Sequence, residues 1–227
     1  MPSPGHLLFL PCMFCALFFP LTRAEACENG VHNTIALLDL SGGADPIVFS
    51  DVKLATFDAE FRPHCVADKG ALSLPGFVQF ISGTIDVRRP IKNSLDQKVM
   101  LELSAQQNSY FVGEVCRLGK SQNMFVPDDY CSWDVCAALG WDSCEFLEHK
   151  GRAQIAELYP KPIPLEPAQV DQIEGEWTLS ATLRTRRGQT LARVALPRGW
   201  HTVRIDTDAN EAAFRRRASD VHTKEEL

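Results

Sequence analysis

Apolar and polar residues alternate most clearly from Glu176 to Thr185. Trp177, Leu179, Ala181 and Leu183 point one way; Thr178, Ser180, Thr182 and Arg184 point the other. A period of two marks a strand with one buried face. Arg186-Arg187-Gly188-Gln189 supplies a turn, and Thr190 to Leu196 returns as the second arm of a hairpin. Phe77 to Val87 places Phe77, Ile81, Ile85 and Val87 on one face, and Arg88-Arg89-Pro90 ends it. Val99, Leu101 and Leu103 form another one-sided face, with Glu102 and Ser104 opposite. Tyr110 to Val115 reads as a strand leading into Cys116. Thr34 to Leu40, Val48 to Phe57 and Trp200 to Asp206 add further extended segments. Turn signals at this spacing predict an all-β, immunoglobulin-like β-sandwich.

Two stretches break the alternation. In Asp128 to Gly140, Asp128 or Asp129 is placed to N-cap a helix and Gly140 to end it, which predicts one short helix bearing Cys131, Trp133, Cys136 and Leu139. Glu157 to Val170 holds Pro160, Pro162, Pro164 and Pro167 and reads as an extended strap crossing within one domain. Residues 207–227 are polar and read as a tail, mobile or in part helical.

The chain has 227 residues, enough for one domain with a real core, and a net charge of −6 gives no electrostatic support to a nucleic-acid role. Residues 1–26 read as a signal peptide. Leu7 to Leu21 is apolar, two prolines interrupt it, and Ala24-Glu25-Ala26 offers small residues for cleavage. Residues 27–206 are then the sandwich. Of eight cysteines, cleavage removes Cys12 and Cys15 and leaves six. An even number in an oxidising compartment predicts disulfides, with the connectivity open. A zinc site is the competing use of Cys116, Cys131, Cys136 and Cys144, but their spacing lacks paired C-x2-C knuckles.

No catalytic motif is present: no G-x-S-x-G, no H-E-x-x-H, no Walker loop, and scattered histidines at His32, His64, His149, His201 and His222. The reading is therefore non-enzymatic, without cofactor or metal. Apolar residues near cysteines, Phe125 and Val126 on one side and Trp141 on the other, are candidates for a rim that touches a ligand or a membrane surface.

The order of these segments resembles the ML lipid-recognition domains, among them the ganglioside activators. The resemblance begins with L-P-G-F-V-Q-F-I-S-G-T-I-D-V-R-R-P-I at Leu74 to Ile91 and continues with V-M-L-E-L and the strand ending at Cys116. C-S-W-D-V-C at Cys131 to Cys136, the proline strap and G-E-W-T-L-S-A-T-L-R-T-R-R-G-Q-T-L-A-R-V-A-L at Gly175 to Leu196 complete it. It implies an ML-type sandwich with one disulfide-stapled helix and an apolar cup that holds a lipid (glycolipid, phospholipid or sterol). The cup would be lined by Phe77, Ile81, Ile85, Val99, Leu101, Leu103, Trp177, Leu179 and Leu183. It also implies transient membrane contact and a partner hydrolase or receptor. The chain departs from the family at Ala192, where a cysteine is usual, and in its longer N-terminal part. That departure implies the pairs Cys27–Cys65, Cys116–Cys131 and Cys136–Cys144.

Lys224-Glu225-Glu226-Leu227 resembles a retrieval signal of the endoplasmic reticulum lumen. The expected location is that lumen; without the signal it is the extracellular space or the lysosome. Equal secretion of the full chain and of one lacking Lys224 to Leu227 would overturn the retrieval reading. A β-sandwich interaction module with a filled core, of co-receptor type, is the alternative to lipid binding.

Overall fold

The computed structural model describes residues 27–91, 98–124, 126–139, 144–166, 174–206 and 211–223. The expected signal peptide, Phe125, Trp141 and Lys224 to Leu227 lie outside the described residues. The strands are β1 (Thr34–Asp39), β2 (Ile47–Asp58), β3 (Cys65–Val66), β4 (Lys69–Gly70), β5 (Leu72–Leu74), β6 (Gly76–Val87), β7 (Val99–Gln107) and β8 (Glu114–Arg117). They continue as β9 (Lys120–Ser121), β10 (Ser132–Asp134), β11 (Gly151–Gln154), β12 (Ile163–Leu165), β13 (Gly175–Thr185), β14 (Thr190–Ala195) and β15 (His201–Ile205). The α-helices are α1 (Val135–Leu139), α2 (Ile155–Leu158) and α3 (Glu211–Thr223).

The strands form an all-β sandwich whose two sheets share β1. Thr34 to Leu37 pair with β2, whereas Leu38 and Asp39 pair with β14. The ladder runs β11-β6-β2-β1-β14-β13-β7-β8-β9, with β12 added beside β6 and β10 beside β7. On the β14 side, β13 and β7 pair in unbroken register from Trp177↔Gln107 to Thr185↔Val99. The alternation expected of both strands therefore places Leu183 opposite Leu101 and Ala181 opposite Leu103.

The β2–β6 pair is irregular. Asp51 and Val52 both stand opposite Gly83, and Ile81 is an extra residue in β6 between the partners of Leu54 and Lys53. Gly83 has φ +104, and a Cβ there would lie 2.4 Å from the Cα of Val52, so the bulge requires glycine. Bulges reverse the side-chain alternation, and apolar residues of like parity on either side fall into different clusters. Ile47, Ile85 and Val87 pack with Val99, Leu191 and Ala192, which joins the two sheets into one core. Phe57 and Phe77 pack instead with Phe214 of α3.

The six cysteines of the described residues pair as Cys27–Cys65, Cys116–Cys131 and Cys136–Cys144. This is the set implied by the resemblance, and it places the cysteines in cystines.

Four expectations need correction. The single helix over Asp128 to Gly140 is a 3-10 turn at Asp128–Tyr130, then β10, then α1. Ser132, Trp133 and Asp134 gain more by pairing with the edge of β7, opposite Glu102, Leu101 and Met100. The helix cap is Asp134, whose Oδ1 accepts from the amides of Cys136 (3.1 Å) and Ala137 (3.3 Å). Asp128 instead accepts the Ser121 amide at 2.8 Å. Second, the strand before Cys116 starts at Glu114, and Tyr110 and Phe111 lie in the loop ahead of it. Third, the proline strap is not extended throughout: Glu157 and Leu158 close α2, while Ile163 to Leu165 pair with β6. Fourth, the tail is in part helical, as α3, but it is not held free of the sandwich: its Phe214 is 0% exposed.

Candidate functional site

Two apolar features on the β7 side of the sandwich are candidates for function. The first is a cross-strand face. Trp133, Leu101, Leu183 and Ala192 stand in register across β10, β7, β13 and β14. Leu103, Ala181 and Val194 form the next row. Leu101, Leu103, Leu179 and Leu183 are only half-buried, so this apolar face is not sealed. The opposite face of the same strands is polar and carries the Arg184–Glu102 ion pair at 3.4 Å.

The second feature is an exposed tip. Tyr110 is 98% exposed, Phe111 95% and Met124 90%. Local hydrogen bonds fix this presentation. Ser109 Oγ accepts from the amides of Phe111 and Val112, both at 3.3 Å, and the Gly113 amide donates to the Ser109 carbonyl at 3.1 Å. The turn pushes Tyr110 and Phe111 outward, their rings edge-to-face at 5.7 Å, and returns Val112 to the core. The Gln122 amide donates to the Val115 carbonyl at 2.8 Å, so the chain leading to Met124 runs back along β8 toward the same end. The Val126 amide then bonds to the Asn123 carbonyl at 3.0 Å, and Val126 turns inward.

Val112 and Val126 both pack on the cluster that contains Trp177, Leu103 and Leu179. Val112 and Val126, the inward neighbours of the tip, therefore share packing with Leu103 and Leu179, whereas Leu183 packs against the intersheet core. The Cys116–Cys131 disulfide belongs to that cluster and ties β8 to the segment entering β10.

The charges flanking the tip are paired. Arg117 Nε lies 2.8 Å from Glu114, and Lys120 Nζ 3.3 Å from Asp128. The Arg117 guanidinium holds the Glu114 carboxyl below its ordinary range. The Ser121 amide, helped by Lys120, does the same for Asp128. Two other titratable groups are shifted by burial and lie on the β2–β6 side. Tyr159, 5.8 Å from Phe80, is pushed up to about 12. His64 is lowered, chiefly by burial. Among the described residues no group of three or more His, Cys, Asp or Glu side chains is placed to hold a metal ion.

The sequence-expected liners divide among three clusters. Ile85, Val99 and Leu183 join the intersheet core. Leu103, Trp177 and Leu179 join the cluster behind the tip. Phe77 packs under α3. Leu101 bridges Trp133 and Leu183 by register. Ile81 is 37% exposed, a correction that follows from its place as the unpaired residue of a bulge. Of the rim candidates, Val126 is half-buried behind the tip, while Phe125 and Trp141 lie outside the described residues. Sequence reasoning missed Tyr110 and Phe111. The turn signal was there, in a serine immediately before them and Gly113 just after.

No protein-family model matches this chain, and no curated protein matches it. Among the described residues no helix is long and apolar enough to cross a membrane.

Proposed function

We propose that this chain is a non-enzymatic lipid-binding protein of the secretory pathway that takes its ligand from a membrane surface, in the manner of the ML domains it resembles. The observation that carries this reading is the tip. Three large apolar side chains at 90% exposure or more, held out by specific turns, have a use at an apolar boundary and a cost in water. Burial of one such side chain supplies about 1.5–3 kcal/mol. Leu103 and Leu179, half-buried behind the tip, offer an acyl chain or sterol an apolar path inward toward the face that Leu101 and Leu183 extend. Three disulfides suit a lumenal or extracellular setting. Because the flanking basic residues are already paired, the attraction to the bilayer is apolar and does not depend on anionic lipid.

Flotation with phosphatidylcholine vesicles tests this. The native chain is expected to float, with little change between low and high salt. Replacing Tyr110, Phe111 and Met124 together by serine should abolish flotation without lowering thermal stability, because all three side chains face solvent. Leu101→Trp should keep flotation but reduce lipid extracted into solution, since added volume fills the leucine face. Equal flotation by the native and triple-serine proteins would overturn the reading and favour an interaction module with a filled core.

A further inference from the structure

Among the described residues, α3 buries one large side chain against the sheets. Phe214 is fully buried, Ala218 packs beside it, and the residues between them, Arg215, Arg216 and Arg217, are exposed. Arg217 adds a hydrogen bond to the Glu60 carbonyl. The floor beneath Phe214 is built by β2 and β6. Phe57 and Phe77 are direct cross-strand partners, Ala55 and Ala59 flank Phe57 with methyl groups only, and the Phe214 ring fills the recess these small side chains would otherwise leave. The Phe214 ring centre lies 5.1 Å from that of Phe77. Phe61, in a left-handed conformation at φ 63, forms the rim, stacked on Phe57 at 4.2 Å and edge-on to Phe77 at 5.5 Å. Among the described residues, the side chains packed against Phe214 and Phe61 are apolar, so the lining itself offers a guest hydrocarbon contact, and Arg62, the residue after Phe61, is already paired with Asp58 and Glu60.

Among the described side chains of α3, Phe214 is the one large side chain that is buried, and a helix held by so little apolar burial belongs to the less stable part of a fold and opens before the sheets do. We infer that the recess of Ala55, Phe57, Ala59, Phe61 and Phe77 is a binding site for the end of a single alkyl chain, and that Phe214 occupies it as a built-in competitor. When α3 lifts, an acyl chain replaces the phenyl ring in a lining of the same chemistry. The site is distinct from the leucine face of β7 and β13, because Phe77 belongs to a different apolar cluster. The two proposals therefore fail independently.

The test is fluorescence titration of the full chain with cis-parinaric acid, alongside circular dichroism to monitor the fold. Phe214→Ala removes the competitor, so apparent affinity should rise roughly tenfold or more, by the inverse of the fraction of sites already open. Arg217→Ala leaves the recess intact and only loosens the helix; it should raise affinity about two- to threefold, and it decides the matter if Phe214→Ala does not fold. Adding Leu101→Trp should leave both gains in place. The proposal is overturned if the variants melt earlier while binding parinaric acid as the native chain does. It is equally overturned if Leu101→Trp abolishes the gain, because the probe would then be in the leucine face.

Discussion

The two sheets treat the same kind of sequence differently. In β7 and β13, alternation runs uninterrupted through a nine-pair register, and every apolar residue of one parity reaches the same face. In β2 and β6, an equally apolar pair of strands is broken twice, at Asp51-Val52 and at Ile81. The regular pair yields one apolar face, joined to the intersheet core at its Val99 and Leu183 end and half-open toward Leu103 and Leu179. The irregular pair divides its apolar residues between the intersheet core and a recess covered by α3. Regularity concentrates apolar surface, and a bulge distributes it.

Closing the bulge should have the largest effect on this contrast. Gly83→Val would drive a side chain into the Val52 backbone at a strongly positive φ and should cost about 3 kcal/mol or more, read as a drop in the denaturation midpoint. A loss under 1 kcal/mol would show that the irregular pair can be made regular, and the comparison would lose its basis. A middle-sized effect is expected from matched substitutions in the two sheets. Leu183→Ala, in the regular face, should cost about 2 kcal/mol, whereas Ile81→Ser should stay within about 0.5 kcal/mol. Equal losses would return Ile81 to the core and contradict the register.

The smallest effect concerns His64, which follows the irregular pair. The side-chain hydroxyl of Thr56 donates to its carbonyl at 2.7 Å, and among the described residues its own Nε2 has no hydrogen-bond partner. Burial, with a smaller push from Arg204, lowers its pKa below the ordinary 6.5, while Asp58 and Asp206 oppose the shift. The unfolded chain therefore binds a proton more readily than the folded one. Stability should be complete above pH 6.5 and fall as pH drops from there toward the folded pKa. His64→Gln should flatten the thermal melting profile across that window. A native profile already flat there would contradict a lowered pKa for the half-buried imidazole.

How far the sequence could be read follows the same division. Trp177 to Thr185 and Val99 to Leu103 were legible because a period of two maps directly onto a regular ladder. Ile81 was not, because its parity matches Phe77 and Ile85 and nothing local announces a bulge except Gly83, two residues on. Tyr110 and Phe111 favour strands by composition, but Ser109 and Gly113 fold the backbone into a turn that leaves their rings outside. The span from Cys131 to Asp134 satisfies helical spacing, yet the free edge of β7 offers it backbone partners that a lone helix turn cannot match. Phe214 escaped notice because one aromatic among arginines and alanines creates no periodicity. The tip as a site is a matter of assembly, since only the β8–β9 hairpin turns the chain of Met124 back toward the end that bears Tyr110 and Phe111.

The sharing of β1 between the sheets gives the molecule a spine. Strands stack about 4.8 Å apart, so β14 lies one step from that spine and β8 roughly 19 Å away. A rotation of one cover against the other by about 10° would shift β14 by less than 1 Å but carry β8 through roughly 3 Å. The Cys116–Cys131 bridge lies within a single cover, between β8 and the lead into β10, and does not resist such a rotation. Leverage is therefore greatest at the margin that bears Tyr110, Phe111 and Met124, and the intersheet packing of Val99 with Ile85 and Val87, with the Cys136–Cys144 bridge beside it, is what opposes a parting there.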